Sequence, residues 1–282
     1  MSRNKEGLPT WLEISSRALA HNVETFRAAA TVDGHCPLMC AMVKGNAYGH
    51  GLLAASQAFL EAGVDWLGIV DLAEARLLRA AGIEAPLYGV GYFPIEDLGE
   101  AIDLEIRMVV YGADVVDAAI AHVARSGGPP ARFHIKLETG TNRQGLHLPD
   151  ALSLARTIVA SPGVVLEGVC THFADIEDTT DHRFANIQLE RFSTGVAAIR
   201  GVLEQAGLDG TTMMAHASNT AAVTLWPQVC GSLIRFGIGA YGMWPSKETL
   251  VSARQMGRSP LEFETALTWK TRIAQVRDLI EQ

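Results

Sequence analysis

Lys44 closes an apolar run, "PLMCAMV", and opens the glycine-punctuated stretch "VKGNAYGHG", with Tyr48 four residues on and Gly45, Asn46, Gly49 and Gly51 around it. A chain that ends a buried segment with a cation and then turns sharply presents an amine at a rim. Such an amine can form a Schiff base with a carbonyl and, once freed, move a proton. It can also be a rim lysine whose stem packs on apolar surface while its head stays in water. Other reactive side chains recur at the ends of apolar runs: Lys136 and Arg143 in "KLETGTNRQG", His172 in "THF", Asn219 and Thr220 in "ASNTAA", and Arg235 in "IRFGIGAYG". His122 and His147 fall in helical or loop context and carry no chemical reading.

The elements that must position these groups follow from hydrophobic periodicity. Short β-branched apolar runs predict eight strands, over 37–44, 65–70, 86–91, 107–111, 132–138, 164–172, 212–218 and 233–241. Segments of helical period lie between them, at 52–62, 72–81, 95–104, 114–126, 149–160 and 184–206, with a short one after Asn219. Asp71 and Asp114 suit N-caps, Pro149 a first turn, and Gly63, Gly82 and Gly127 helix ends. Near-continuous hydrophobic strands, each followed by a helix, imply a parallel sheet, and eight such units imply an α/β fold of the (β/α)8 TIM-barrel type. In that architecture chemistry sits at the C-terminal ends of the strands, where the polar residues above fall.

At 282 residues and 48% apolar content the chain can bury one large core. A net charge of −8 argues against a nucleic-acid footprint, which would be basic and clustered. Cys36, Cys40, Cys170 and Cys230 lack zinc-ligand spacing and read as reduced thiols, which suits a cytoplasmic protein and gives no metal site. The opening "MSRNKEGLPTWLEISS" has no apolar stretch of signal-peptide length, and nowhere do eighteen apolar residues run together.

Together the motifs resemble those of the alanine racemases. "VKGNAYGHG" is similar to that family's pyridoxal-phosphate lysine motif and "KLETGTNRQG" to its arginine loop. "ASNTAAVTLWP" and "LIRFGIGAYGMWPS" are similar to its phosphate and pyridine-nitrogen segments, and "PTWLEISSRALAHN" to its start. The resemblance implies a pyridoxal 5'-phosphate cofactor, alanine as substrate, D-alanine for peptidoglycan precursors as product, and a homodimer for the full-length protein. It implies Lys44 as the Schiff-base lysine and Arg235 as the partner of the pyridine nitrogen. Tyr48, Asn219, Thr220, Gly237 and Ile238 are implied around the phosphate, His172 beside the ring, and Arg143 at the substrate carboxylate. Lys136 matches a lysine that is often carbamylated in the family, although a partnership with Glu138 would also explain it. Thr220 replaces the family's usual serine and keeps the hydroxyl; Glu138 and Gly45 stand where Asp and Ala are commoner.

The family continues into a β domain whose catalytic tyrosine serves the opposite face of the substrate in the partner subunit. Tyr241, in "GAYG", does not replace it. The expected division is a leading strand and helix over 1–30, a cofactor-binding barrel over 31–260, and the start of a β domain over 261–282 whose strand, near 268–276, lacks a partner. The implied function is racemisation of L- and D-alanine, weak in this polypeptide alone. The alternatives are a pyridoxal-phosphate-binding barrel without racemase turnover and a barrel hydrolase or aldolase using a lysine without cofactor.

Overall fold

The apolar runs form parallel strands in the computed structural model, which describes residues 7–258 and 261–278. After β1 (Thr10–Ile14) come β2 (Leu38–Met42), β3 (Trp66–Ile69), β4 (Leu87–Gly89), β5 (Ile106–Val110), β6 (Ala131–Lys136), β7 (Val164–Cys170), β8 (Met214–His216) and β9 (Leu233–Phe236). β2 to β9 lie in the order β8-β7-β6-β5-β4-β3-β2-β9, every neighbouring pair parallel. The gap between β8 and β9 is bridged by Ser232 N–H to the Ala215 carbonyl at 3.0 Å and Arg235 N–H to the Ser218 carbonyl at 3.2 Å. The ring is an eight-stranded TIM-type barrel.

Most strands are shorter than the apolar runs, and several end early where the chain leaves the sheet to form the rim. The run 233–241 stops being a strand at Phe236 and becomes a 3-10 turn, Ile238–Tyr241. Crossover helices follow the strands: α2 (Leu52–Glu61), α3 (Leu72–Ala80), α4 (Leu98–Asp103), α5 (Ala113–Ser126), α6 (Leu148–Ala160), α7 (Arg183–Gln205) and α8 (Thr220–Leu225). α1 (Ser16–Ala30) precedes them and α9 (Lys247–Gln255) comes last. Asp71 caps α3, accepting from Glu74 N at 2.9 Å, whereas Asp114 lies inside the first turn of α5 and Gly112 occupies the cap. The expectation for Asp114 was displaced because the chain already turns helical at Ala113.

Alternation along each strand separates two apolar environments. On β2, Met39 and Ala41 join the large cluster packed under the helices, and Cys40 and Met42 join a smaller cluster with Trp66, Tyr88, Val109, Cys170 and Leu233 inside the barrel. The thiols of all four cysteines are free.

One strand pair stands apart from the barrel. β10 (Leu267–Thr271) pairs antiparallel with β1, Thr10 opposite Thr271 and Ile14 opposite Leu267. The expectation of a partnerless strand is corrected: its partner is the N-terminal strand, more than 250 residues away in sequence. The expected domain boundary at 260 and the ends of the outer segments, 1–6 and 279–282, lie outside the described residues. No described helix is long and apolar enough to cross a membrane.

Candidate active site

A cavity of about 410 Å³ opens at the C-terminal ends of the strands, a size suited to a small cofactor. Lys44, Tyr48, Lys136, Arg143, His172, Asn219, Thr220, Arg235, Gly237 and Ile238 all line it. Every site residue expected from the sequence is therefore brought to one place.

Lys44 leaves β2 and enters an unusual turn. Gly45, Asn46, Ala47 and Tyr48 have φ of 63°, 55°, 55° and 52°, a left-handed helical turn. Glycine and asparagine tolerate this; Ala47 and Tyr48 each cost about 1–2 kcal/mol. The surroundings hold the turn in place. Glu74, buried on α3, accepts from Asn46 N at 3.3 Å and Val70 N at 2.9 Å. The Asn46 side chain accepts from Leu52 N at 2.8 Å, and the Tyr48 ring packs 5.1 Å from the buried Tyr241 ring. Tyr241 donates to the Met42 carbonyl at 2.8 Å, so it serves as a brace beneath the turn. Burial lowers the Lys44 pKa, with Arg143's charge adding to the effect and Glu74's opposing it. A larger fraction of neutral amine makes Lys44 a better nucleophile.

Arg235 is buried, and its guanidinium is held on the barrel side. One terminal nitrogen donates to His216 Nδ1 and the His216 carbonyl; the other donates to the Thr171 carbonyl at 2.9 Å and the Ala217 carbonyl at 3.2 Å. These bonds use the four terminal N–H groups and leave Nε–H for the cavity. His172 is held neutral, its pKa pushed down to about 3 by burial and by the charges of Arg235, Arg143, Lys136 and Lys44.

The far end of the cavity gathers hydroxyls and backbone donors. Thr220 Oγ1 accepts from Gly237 N at 3.3 Å and Gly239 N at 3.5 Å, which leaves its own proton free to donate. A Cβ at Gly237 would stand 2.5 Å from the Tyr48 hydroxyl, so only glycine admits that hydroxyl. Asn219 caps α8 through Ala222 N at 2.9 Å and gives its amide N–H to Glu177 at 3.1 Å. Its side chain fixes the α8 end and the half-buried Glu177, and it lines the cavity from there.

The "TGTNRQG" loop folds back on its own strand, with Leu146 N donating to the Lys136 carbonyl at 2.8 Å and Glu138 N to the Leu146 carbonyl at 2.9 Å. The loop carries Arg143 to the mouth, where no carboxylate among the described residues pairs with it. Lys136 is buried and its Nζ lies 3.5 Å from Gln144 Oε1, while Glu138 accepts from Gly140 N. A direct Lys136–Glu138 bond is not made. Burial lowers the Lys136 pKa.

Three polar groups went unread in the sequence: His134 on β6, Glu167 on β7 and His216 on β8. They form a row under Arg235, with both imidazoles buried and Glu167 partly so. The available signal was spacing, because His134 lies two residues before Lys136 and so shares its face.

A family model described as "Alanine racemase, N-terminal domain" matches residues 14–245. The chain belongs to the alanine racemase family. An alanine racemase of Desulforamulus reducens is 33% identical over 271 residues, 95% of this chain and 68% of that protein. Among solved structures, a Clostridium difficile alanine racemase in complex with cycloserine superposes with a TM-score of 0.83 at 25% identity, covering 96% of this chain and 70% of that one. The alanine racemase of the D-cycloserine producer Streptomyces lavendulae gives 0.80 at 31% identity, covering 93% and 65%. The chain spans about two thirds of the length of these alanine racemases.

Proposed function

We propose that this chain forms the pyridoxal-phosphate-binding barrel of an enzyme interconverting L- and D-alanine, with residues 31–260 as the barrel and 261–282 opening a β unit. The observation that carries the reading is the convergence, in one cavity, of a strand-end amine, a buried guanidinium with one free N–H, and a glycine-floored cradle carrying two hydroxyls. These residues fit the cofactor. Tyr48, Thr220 and the backbone at Gly237 and Ile238 would hold its phosphate, Arg235 its ring nitrogen, and His172 one side of its ring. Bound there, pyridoxal phosphate supplies an aldehyde that condenses with an amine and a ring that acidifies the alanine Cα–H.

Lys44 holds the cofactor and, once freed by substrate, takes or returns the proton at Cα on one face. Arg235, permanently charged, donates a hydrogen bond without giving up a proton, which keeps the ring a modest electron sink and favours reprotonation over side reactions. Neutral His172 packs without adding charge. Arg143 receives the substrate carboxylate through a forked pair of N–H groups. Lys136 sits behind it as a candidate for carbamylation, its neutral fraction raised by burial, and a carbamate there would anchor Arg143. Inversion also needs an acid–base group on the opposite face. In the family that group comes from the partner subunit's β domain, so the two-sided reaction belongs to a homodimer. The free thiols suit a cytoplasmic enzyme.

The test is exchange of the alanine α-hydrogen in deuterated water with cofactor added. Exchange that disappears in Lys44→Ala supports the reading. A cofactor-loaded chain that exchanges no α-hydrogen contradicts it.

A further inference from the structure

Below the cavity floor, polar side chains continue through the barrel where apolar ones would be expected. Arg235 donates to His216 Nδ1. His216 Nε2 lies 2.8 Å from His134 Nδ1, and His134 Nε2 lies 3.2 Å from a carboxylate oxygen of Glu167. Both imidazoles are fully buried. Glu167 also meets Arg132 at 3.3 Å and Arg107 at 3.7 Å, toward the N-terminal end of the barrel.

The direction of this row is forced from one end. A guanidinium can only donate, so His216 Nδ1 must be the bare acceptor. A neutral His216 then carries its proton on Nε2 and donates to His134 Nδ1. His134 in turn carries its proton on Nε2 and donates to Glu167. Any other tautomer, or a proton added to either ring, sets two donors face to face in a buried site. The row is consistent only while Glu167 offers His134 an accepting oxygen.

The barrel wall is adapted to the row at two places. The β6–β7 register slips between Phe133 and His134: Phe133 lies opposite Leu166 and His134 opposite Gly168, so Glu167 is the extra residue of a β-bulge. Bulges re-aim side chains, and this one aims Glu167 at His134. At Gly168 a Cβ would stand 2.4 Å from His134 Nδ1, so the glycine makes room for the ring. Burial lowers the pKa of both histidines, while contacts with His134, Arg107 and Arg132 lower that of Glu167 against the effect of its own burial.

We propose that Glu167 is a positioning residue for Arg235: acting through His134 and His216, it fixes the guanidinium so that Nε–H stays free for the ring nitrogen of the cofactor. The proposal rests on the cofactor reading above for its purpose and on the hydrogen-bonded row for its mechanism. Losing the acceptor at Glu167 releases His134 to turn or protonate. His216 then presents a proton to the guanidinium, and Arg235 is pushed off its position.

Imidazole 15N spectra of the labelled chain, assigned with His134→Asn and His216→Asn, read the tautomers directly. Both rings are expected to be neutral and protonated on Nε2 from about pH 5.5 to 8, a range in which an ordinary histidine titrates. A ring protonated on Nδ1, or titrating normally, overturns the relay without any variant of Glu167. Glu167→Gln keeps an acceptor oxygen and should hold cofactor affinity, read from visible absorbance, within about threefold of wild type. Glu167→Leu removes the acceptor and should weaken affinity about tenfold or more, with a histidine-type pH dependence appearing in the absorbance. Unchanged tautomers and affinity in a folded Glu167→Leu protein contradict the proposal. A wild-type chain with these tautomers that takes up no pyridoxal phosphate contradicts the cofactor reading instead.

Discussion

Arg143 owes its assigned role to geometry that a lysine cannot reproduce. Its guanidinium reaches the cavity mouth with no carboxylate from the described residues upon it, and a fork binds a carboxylate through two parallel N–H bonds. Arg143→Lys should weaken alanine binding by about tenfold while leaving cofactor affinity nearly unchanged, as read by titrating the holoprotein's absorbance with alanine. Equal loss of both would make Arg143 a support of the loop. Lys44 and His172 were legible because each ends an apolar run, and Arg143 and Arg235 because their stretches, "TGTNRQG" and "IRFGIGAYG", resemble family motifs. His134, Glu167 and His216 were not, because an interior polar residue in a parallel strand looks like an interruption. Its partners lie on other strands, 33 and 82 residues away in the contacts it makes.

At the scale of elements, the strand order and crossover helices could be read from period and punctuation, and the rim could not. The glycines and Asn46 in "KGNAYGHG" signal a turn, but Ala47 and Tyr48 give no sign of positive φ. That conformation is imposed from outside by Glu74, which lies 28 residues on and accepts from both Asn46 N and Val70 N. Glu74→Ala orphans both donors and should destabilise the fold by roughly 2–4 kcal/mol in urea unfolding. It should also lower cofactor occupancy by freeing the turn that carries Lys44. A variant as stable as wild type would show that the turn holds itself. The 3-10 turn at Ile238–Tyr241 was likewise hidden inside a run that reads as strand, because the cradle at Gly237 needs the chain to leave the sheet there.

For the molecule as a whole, the pairing of β1 with β10 shows the limit of local reading, since nothing near Leu267 names Ile14 as its partner. The charge distribution gives a prediction at the same scale. His172 has its pKa lowered from 6.5 to about 3, and those of the buried His134 and His216 also fall. Between those two values the unfolded chain binds more protons than the folded one, so stability rises with pH across the window and is lost as pH falls through it. Each fully shifted histidine contributes on the order of 1.4 kcal/mol per pH unit there. The thermal midpoint should drop steeply between about pH 6.5 and 4, and less steeply in His172→Phe. A midpoint independent of pH over that window would mean that these histidines are not held neutral by the fold.

The claim on which the rest depends is that Lys44 is the lysine that carries the cofactor. Among the described residues the cavity contains one other lysine, Lys136, more deeply buried and also with a lowered pKa, so the two compete on chemical grounds. Lys44 sits on a braced left-handed turn beside the hydroxyls and backbone donors at Tyr48, Thr220 and Gly237, and Lys136 sits behind the arginine loop. Borohydride reduction of the pyridoxal-phosphate-loaded protein, followed by peptide mapping, distinguishes them. The pyridoxyl group is expected on Lys44, within the peptide that contains "VKGNAYGHG". A pyridoxyl group on Lys136 in place of Lys44 would contradict that claim.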